Sequence, residues 1–383
     1  MIEIHVRGLD REAPARGHCI SRVDHQVHEH LLELTGVGLD PPERVVDDGH
    51  EMNVLSDEAP QHRVHLGDEG VQIEDPRLED LLAAEGQKLA GQHGGSLAGL
   101  HDLLELGPQV VIVATPHDQL AALAGQALEG GAHVLVEKPA GMSTYQIDQL
   151  SRSSERSSQV LKVGFNHRFY PGLARAVEEV HSGSHGELMH LRARYGHGGR
   201  RGYEREWRAD PLRSGGGELI DQGMHLLDLV HWIAGPLPLH SSLLRTQFWD
   251  APVEDNAALL LGADEKKAPW AMLHVSWTEW KNTFSLEIFC RSAKLQVDGL
   301  ARSYGPQTLR IYRMKPELGP PDVEEVTFPE DDVSWRAEWE HFAAALAGEV
   351  ELLGSLADAR YAWACVEEAY AGGPYTPMRK EFP

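Results

Sequence analysis

The sequence predicts an α/β fold in which a short parallel sheet precedes an α+β domain with a large, mostly antiparallel sheet. Three observations predict it. Between 110 and 165, short runs rich in β-branched residues alternate with stretches of helical spacing, as parallel strands joined by crossover helices require. Beyond 166, extended runs follow one another with only short turns between many of them, which is the pattern of antiparallel pairing. The 383 residues exceed the usual size of one domain, so two cores are expected.

Val110-Val111-Ile112-Val113 is continuously apolar, as a strand covered on both faces must be, and Thr115-Pro116 ends it. Leu120, Leu123, Ala124, Ala127 and Leu128 then fall at helical spacing, closed by Gly130-Gly131. Val134-Leu135-Val136 is a second buried strand running into Glu137-Lys138-Pro139, where proline cannot donate to a ladder. Ser143 with Gln146 reads as a capping box opening a helix through about Ser153, and Val160 to Phe165 is a third strand. Next come helices from about Gly172 to His181 and from Glu218 to Ala234. Strands are expected at Leu188–Tyr195, Ala257–Leu261, Trp270–Thr278, Phe284–Phe289, Leu309–Tyr312 and Val323–Phe328. Helices from about Ser334 to Ala347 and Leu356 to Ala371 close the chain.

Composition narrows the function classes. A formal charge of -24 argues against nucleic acid and anionic membranes as partners, because both need clustered Lys and Arg. No run approaches the roughly 18 apolar residues of a membrane span, and the N-terminus lacks the basic and apolar regions of a signal peptide. Cys19, Cys290 and Cys365 are far apart, which fits a reducing compartment, and the cytoplasm is expected.

Residues 1–106 form an atypical segment. A dinucleotide-binding sheet that includes Val110 should be preceded by a strand, a Gly-x-Gly-x-x-Gly turn and a helix, and no such turn is present. Periodicity there is limited to Leu78–Leu89. His25, His28 and His30 cluster without a completing ligand, so no metal is expected.

Two motifs carry chemistry. In Gly215-Gly216-Gly217-Glu218-Leu219-Ile220-Asp221-Gln222-Gly223-Met224-His225, Asp221 and His225 stand four apart, on one face of a helix, where a carboxylate can orient an imidazole. The glycines permit close approach to a ligand or a neighbouring strand. On spacing alone, an ordinary helix-face histidine is an equal reading. Lys138 lies at the carboxyl end of a buried strand, where open α/β sheets bind ligands, although a solvated lysine is the commoner case.

Together, Val-Ala-Thr-Pro at 113–116, Glu-Lys-Pro at 137–139, Gly-Phe-Asn-His-Arg-Phe at 164–169 and the Gly-Gly-Gly-x-x-x-Asp-x-Gly-x-His run resemble the glucose-fructose oxidoreductase, inositol dehydrogenase and rhizopine-catabolism family. The resemblance spans about 107–375. It implies that 107–165 is the C-terminal part of a Rossmann domain and 166–383 a substrate-binding and oligomerisation domain. It also implies an NAD or NADP cofactor, a sugar, nucleotide-sugar or cyclitol substrate, and a dimer or tetramer. By motif match it implies Lys138, Asp221 and His225 as catalytic residues, with His225 taking a hydroxyl proton and Asp221 charge-stabilising the imidazolium. Thr115, Pro116, Glu137, Lys138, Asn166 and Arg168 are then expected at the cofactor, and Tyr203, Arg205, Trp207, Arg208 and Gln222 beside the substrate. The family's phosphate turn has no counterpart in the first hundred residues. That segment is either foreign sequence joined to a truncated oxidoreductase or a replacement that changed cofactor use. The competing functional reading is a sugar-binding regulator or scaffold that no longer transfers hydride.

Overall fold

The computed structural model describes residues 2–5, 64–67, 70–73, 96–97 and 100–372. The histidine cluster at 25–30 and the periodic stretch at 78–89 lie outside them. In chain order the first elements are β1 (Ile2–His5), β2 (Val64–Gly67), β3 (Gly70–Ile73), β4 (Ser96–Leu97) and α1 (Leu100–Leu104). The alternating region follows: β5 (Val110–Val113), α2 (His117–Glu129), β6 (His133–Glu137), α3 (Thr144–Ser157) and β7 (Leu161–Gly164). Strands β5, β6 and β7 are parallel in the order β1-β5-β6-β7, with β1 antiparallel at the edge, while β2, β3 and β4 form a separate small sheet. All four residues of β5 and of β7 are buried, as strands covered on both faces must be.

The helices bury the expected stripes. In α2, Leu120, Ala124, Ala127 and Leu128 face the core, and the left-handed position after it is taken by Gly131 at φ 87°. In α3 the Ser143 hydroxyl accepts from the Gln146 N–H at 3.3 Å. The Gln146 side chain accepts instead from the Met142 N–H, so the expected reciprocal box is displaced by one residue.

The second region contains α4 (Pro171–His181), β8 (Leu188–Gly196), α5 (Pro211–Ser214), α6 (Glu218–Asp221), α7 (Gly223–Ala234), β9 (Leu239–Arg245), β10 (Asn256–Gly262), β11 (Trp270–Ser276), β12 (Thr283–Cys290), β13 (Ala293–Asp298), β14 (Thr308–Arg313), β15 (Asp322–Thr327), α8 (Ser334–Leu346) and α9 (Leu356–Ala371). Eight strands pair in the order β15-β14-β13-β12-β8-β11-β10-β9, antiparallel except for β8 beside β11. Within this sheet, two strands were not expected from sequence, β9 and β13. The continuous helix expected from Glu218 is interrupted at Gln222, where the His225 N–H bonds the Gln222 carbonyl over three residues and the turn tightens.

Buried charges tie the parallel sheet and the segment after β7 to the surrounding helices. Lys162 of β7 is fully buried, 3.1 Å from Glu338 of α8, and donates to the Leu353 carbonyl at 2.7 Å. Arg168 forks the carboxylate of Asp228 in α7 at 2.9 and 2.6 Å and reaches Asp358 in α9 at 2.8 Å. A buried pair is most costly when one partner is deleted, because the other charge is left uncompensated. Glu338→Leu is therefore expected to lower the free energy of unfolding in urea by about 3–5 kcal/mol, and Lys162→Met in the same chain should recover most of it. A double variant no more stable than Glu338→Leu alone would contradict this.

Candidate active site

The carboxyl ends of β5, β6 and β7 meet the start of α6 and α7, and the side chains converge there. Lys138 follows β6, and its ammonium donates to the Asp221 carbonyl at 2.6 Å and to Asp221 Oδ1 at 2.8 Å. Arg208 Nε lies 3.1 Å from Asp221 Oδ2. Burial alone would raise the Asp221 carboxyl, but the Lys138 and Arg208 charges outweigh it and hold the group far below the usual carboxylate range. Asp221 is thus a fixed anion between two cations. The expected carboxylate–imidazole bond within the helix is not formed, because both Asp221 oxygens serve these cations and His225 Nδ1 is buried without a hydrogen-bond partner.

His225 lies on α7 behind this pair, 6% exposed. Burial first, then the neighbouring His167 and Lys138, push its pKa well below the ordinary 6.5, so the imidazole is neutral at pH 7. Its ring stacks on that of His167 with centroids 3.8 Å apart and planes 22° from parallel. Tyr195 on β8 stands edge-on to His225 at 6.2 Å.

The turn that carries Asp221 is held by a residue distant in sequence. Glu254 is fully buried, and its carboxylate accepts from Gly217 N–H (3.2 Å), Leu219 N–H (3.0 Å) and the Tyr370 hydroxyl (2.7 Å). The glycines therefore serve packing against protein: a Cβ on Gly217 would stand 2.0 Å from the Glu254 carbonyl oxygen, and one on Gly216 would stand 2.1 Å from the Tyr370 hydroxyl. On the other side, α9 clamps the Glu-Lys-Pro turn through Trp363 Nε1, which donates to the Pro139 carbonyl at 3.0 Å.

Among the residues expected at the cofactor, Thr115 is buried and its hydroxyl has no hydrogen-bond partner among the described residues, while Pro116 leads into α2. Glu137 Oε2 accepts from the Lys138 N–H at 3.2 Å. Two residues expected there make other contacts within the protein. Arg168 is spent on Asp228 and Asp358, so it braces the fold. Asn166 is committed at both ends of its amide, to Ser334 and His167.

Among the residues expected beside the substrate, Arg208 pairs with Asp221 and lies over the Trp207 ring at 4.6 Å, and Trp207 meets His117 edge-on at 4.9 Å. Gln222 Nε2 donates to the Tyr304 hydroxyl at 3.0 Å. Tyr203 is 4% exposed and packs edge-on to Trp277 at 5.0 Å. Arg205 points to solvent beside Glu204. Four residues of the site were missed in the sequence: His117, His167, Tyr195 and Tyr304. His117 Nδ1 donates to the Ser214 carbonyl at 2.8 Å, and burial with the Lys138 charge lowers its pKa to about 3. Only its place directly after Thr115-Pro116 signalled it.

Known proteins share this fold. The profile described as "Oxidoreductase family, NAD-binding Rossmann fold" matches residues 59–165, and the profile described as "GFO/IDH/MocA C-terminal domain" matches residues 173–296. The chain belongs to the Gfo/Idh/MocA oxidoreductase family. The Rossmann match reaches back to residue 59, upstream of the start near 107 that the motifs marked. Among curated relatives, D-glucoside 3-dehydrogenase of Escherichia coli is 32% identical over 41% of this chain and 45% of its own length. Rhizopine catabolism protein MocA of Rhizobium meliloti is 27% identical over 53% of this chain and 63% of its own length. The match thus spans less than two thirds of either relative. A solved levoglucosan dehydrogenase complex with NADH and levoglucosan has the same fold, with a TM-score of 0.63 at 19% identity over 77% of this chain and 86% of that one.

Burial raises the Glu254 carboxyl from an ordinary 4.5 to about 7, against the lowering effect of its donors. A raised folded pKa gives stability that is fully present below 4.5 and lost as pH rises through about 7. The free energy of unfolding is expected to decline across that window. Glu254→Gln should remove this part of the decline, whereas an unchanged pH dependence in the variant would contradict the assignment.

Proposed function

We propose that this chain is an NAD- or NADP-dependent dehydrogenase acting on a ring hydroxyl of a sugar, nucleotide sugar or cyclitol. The observation that carries the reading is the Lys138–Asp221 pair beside a neutral, buried His225 at the carboxyl ends of β5 and β6. Open α/β sheets bind their ligands at that edge.

The residues present fit the nicotinamide end of the cofactor. Thr115 offers a buried hydroxyl without a partner, and Pro116, Glu137 and Lys138 lie beside it along the strand ends. The bound nicotinamide would supply the acceptor for the hydride leaving the substrate carbon. A neutral imidazole is the form that accepts a proton, so His225 takes the hydroxyl proton as hydride departs. Lys138 uses two of its three N–H groups on Asp221, and the third suits a substrate oxygen. Asp221 fixes that ammonium, and Arg208 fixes Asp221. Gln222 and Tyr304 supply polar groups on the substrate side. Relatives named for glucosides, levoglucosan and inositol support a polyhydroxylated ring as substrate.

The reading divides the chain into a Rossmann part at 107–165, whose family match reaches back to 59 within the atypical segment at 1–106, and a substrate domain at 166–383. A homodimer or homotetramer in the cytoplasm goes with it. Support for association comes from the outer sheet face, where Leu243, Trp270 and Met272 are exposed. No helix among the described residues is long and apolar enough to cross a membrane. Light scattering at micromolar concentration should give a multiple of the 42.4 kDa chain mass, and a monomeric mass would contradict the association.

His225→Asn in the full chain is expected to lower kcat/KM for the oxidised polyol by about 10²–10⁴ while leaving NADH binding unchanged. Turnover equal to the parent would remove His225 from the role of base.

A further inference from the structure

His167 has no role in the chemistry above, yet it is 3% exposed and its ring lies flat on His225. Tyr170 and Tyr195 wall it at 5.4 and 5.2 Å, and Phe284 at 6.0 Å. Its Nδ1 stands 3.0 Å from Asn166 Oδ1. Which of the two carries the proton is decided at the far end of the hydrogen-bond chain. The Asp332 carboxylate accepts from the Ser334 hydroxyl at 2.6 Å, from the Ser334 N–H at 3.0 Å and from the Tyr170 hydroxyl at 2.8 Å. With its proton spent on Asp332, the Ser334 oxygen accepts from Asn166 Nδ2 at 3.0 Å. The amide oxygen therefore faces His167, and because an amide oxygen only accepts, Nδ1 of His167 carries the proton. Nε2 keeps the lone pair, buried and without a partner. Burial, with the charge of Lys138, lowers the His167 pKa to about 3, so the ring stays neutral across the working range.

We infer that His167 is a positioning residue for the base: the Asp332–Ser334–Asn166 chain locks it as a neutral Nδ1–H imidazole, and this uncharged ring is the face against which His225 takes up its proton. The inference rests on the reading of His225 as base. The groups facing His167 are His225, Lys138, Tyr170, Tyr195 and, through the chain, Asp332. Lys138 is the cation among them, and a protonated His167 would set a second one at stacking distance from the imidazolium that His225 becomes. All four members of the chain are buried, which protects its bonds from exchange with water.

Imidazole ¹⁵N NMR of the full chain tests the lock without turnover, with the His167 signals identified by their loss in His167→Phe. The parent should show a protonated Nδ1 and a bare Nε2 that do not change between about pH 5 and 9. A proton on Nε2, or a titration inside that range, would overturn the lock. Ser334→Ala cuts the chain and should give a mixture of tautomers, so an unchanged tautomer would also overturn it. Asn166→Asp puts a carboxylate against Nδ1 and should make His167 an imidazolium at pH 7. NAD-dependent oxidation of D-glucose or myo-inositol by that variant should then fall about tenfold or more at pH 7 and recover as His167 loses its proton at higher pH. A charged His167 with an unaltered rate would sink the positioning role, as would a ring that stays neutral. Absence of turnover in the parent would count against the dehydrogenase reading, while the NMR arms would still decide the lock.

Discussion

The structure turns on one contact, the ammonium of Lys138 against the carboxylate and carbonyl of Asp221. Lys138 belongs to the end of a parallel strand and Asp221 to a four-residue helix beside the antiparallel sheet, so the contact exists only when the two sheets are packed together. Everything that fixes their relative position is therefore part of the site. Arg168 joins the segment after β7 to α7 and α9, Lys162 joins β7 to α8, and Trp363 holds the Lys138–Pro139 turn from α9. Exposed ion pairs contribute little, whereas losing one partner of a buried pair leaves an uncompensated charge.

The electrostatics follow from that packing. The charged groups are mostly buried, so each charge is set largely by its nearest partner. Asp221 stays ionised between Lys138 and Arg208, while the three histidines around them, His117, His167 and His225, are held neutral by burial. Glu218, three residues before Asp221, is pushed well above the usual carboxylate range by burial and by the Asp221 charge, so it keeps its proton. One anion held between two cations, with several neutral imidazoles around them, forms an environment suited to moving a proton without moving a charge far.

Much of the fold was legible because periodicity is a local property. The buried runs at Val110 and Val134 and the helical stripe of Leu120 to Leu128 need no tertiary information. Strand β13 also alternates, with Ala293, Leu295 and Val297 buried, but its short six-residue run between turns was passed over. The proposed site was legible where motifs named it, at Lys138, Asp221 and His225, and illegible where partners come from afar. Helical spacing placed Asp221 against His225. In the folded chain Glu254 pins the first turn of that segment, and Lys138 and Arg208 take both carboxylate oxygens. Arg168 and Tyr203 looked like ligand contacts because arginine and tyrosine suit ligands, and their burial depends on Asp228, Asp358 and Trp277, which no local pattern reveals. His167 gained its role from Ser334 and Asp332, more than 160 residues away.

The central claim is that these residues face a nicotinamide. Titration of the full chain with NADH and NADPH, followed by quenching of its nine tryptophans, tests it directly, since Trp207 lies beside His117 and Arg208 at the site. The account predicts saturable quenching at micromolar concentration with at least one of the two. No quenching with either, from a chain that is folded, would mean that Lys138, Asp221 and His225 have no hydride acceptor, and would contradict the dehydrogenase reading.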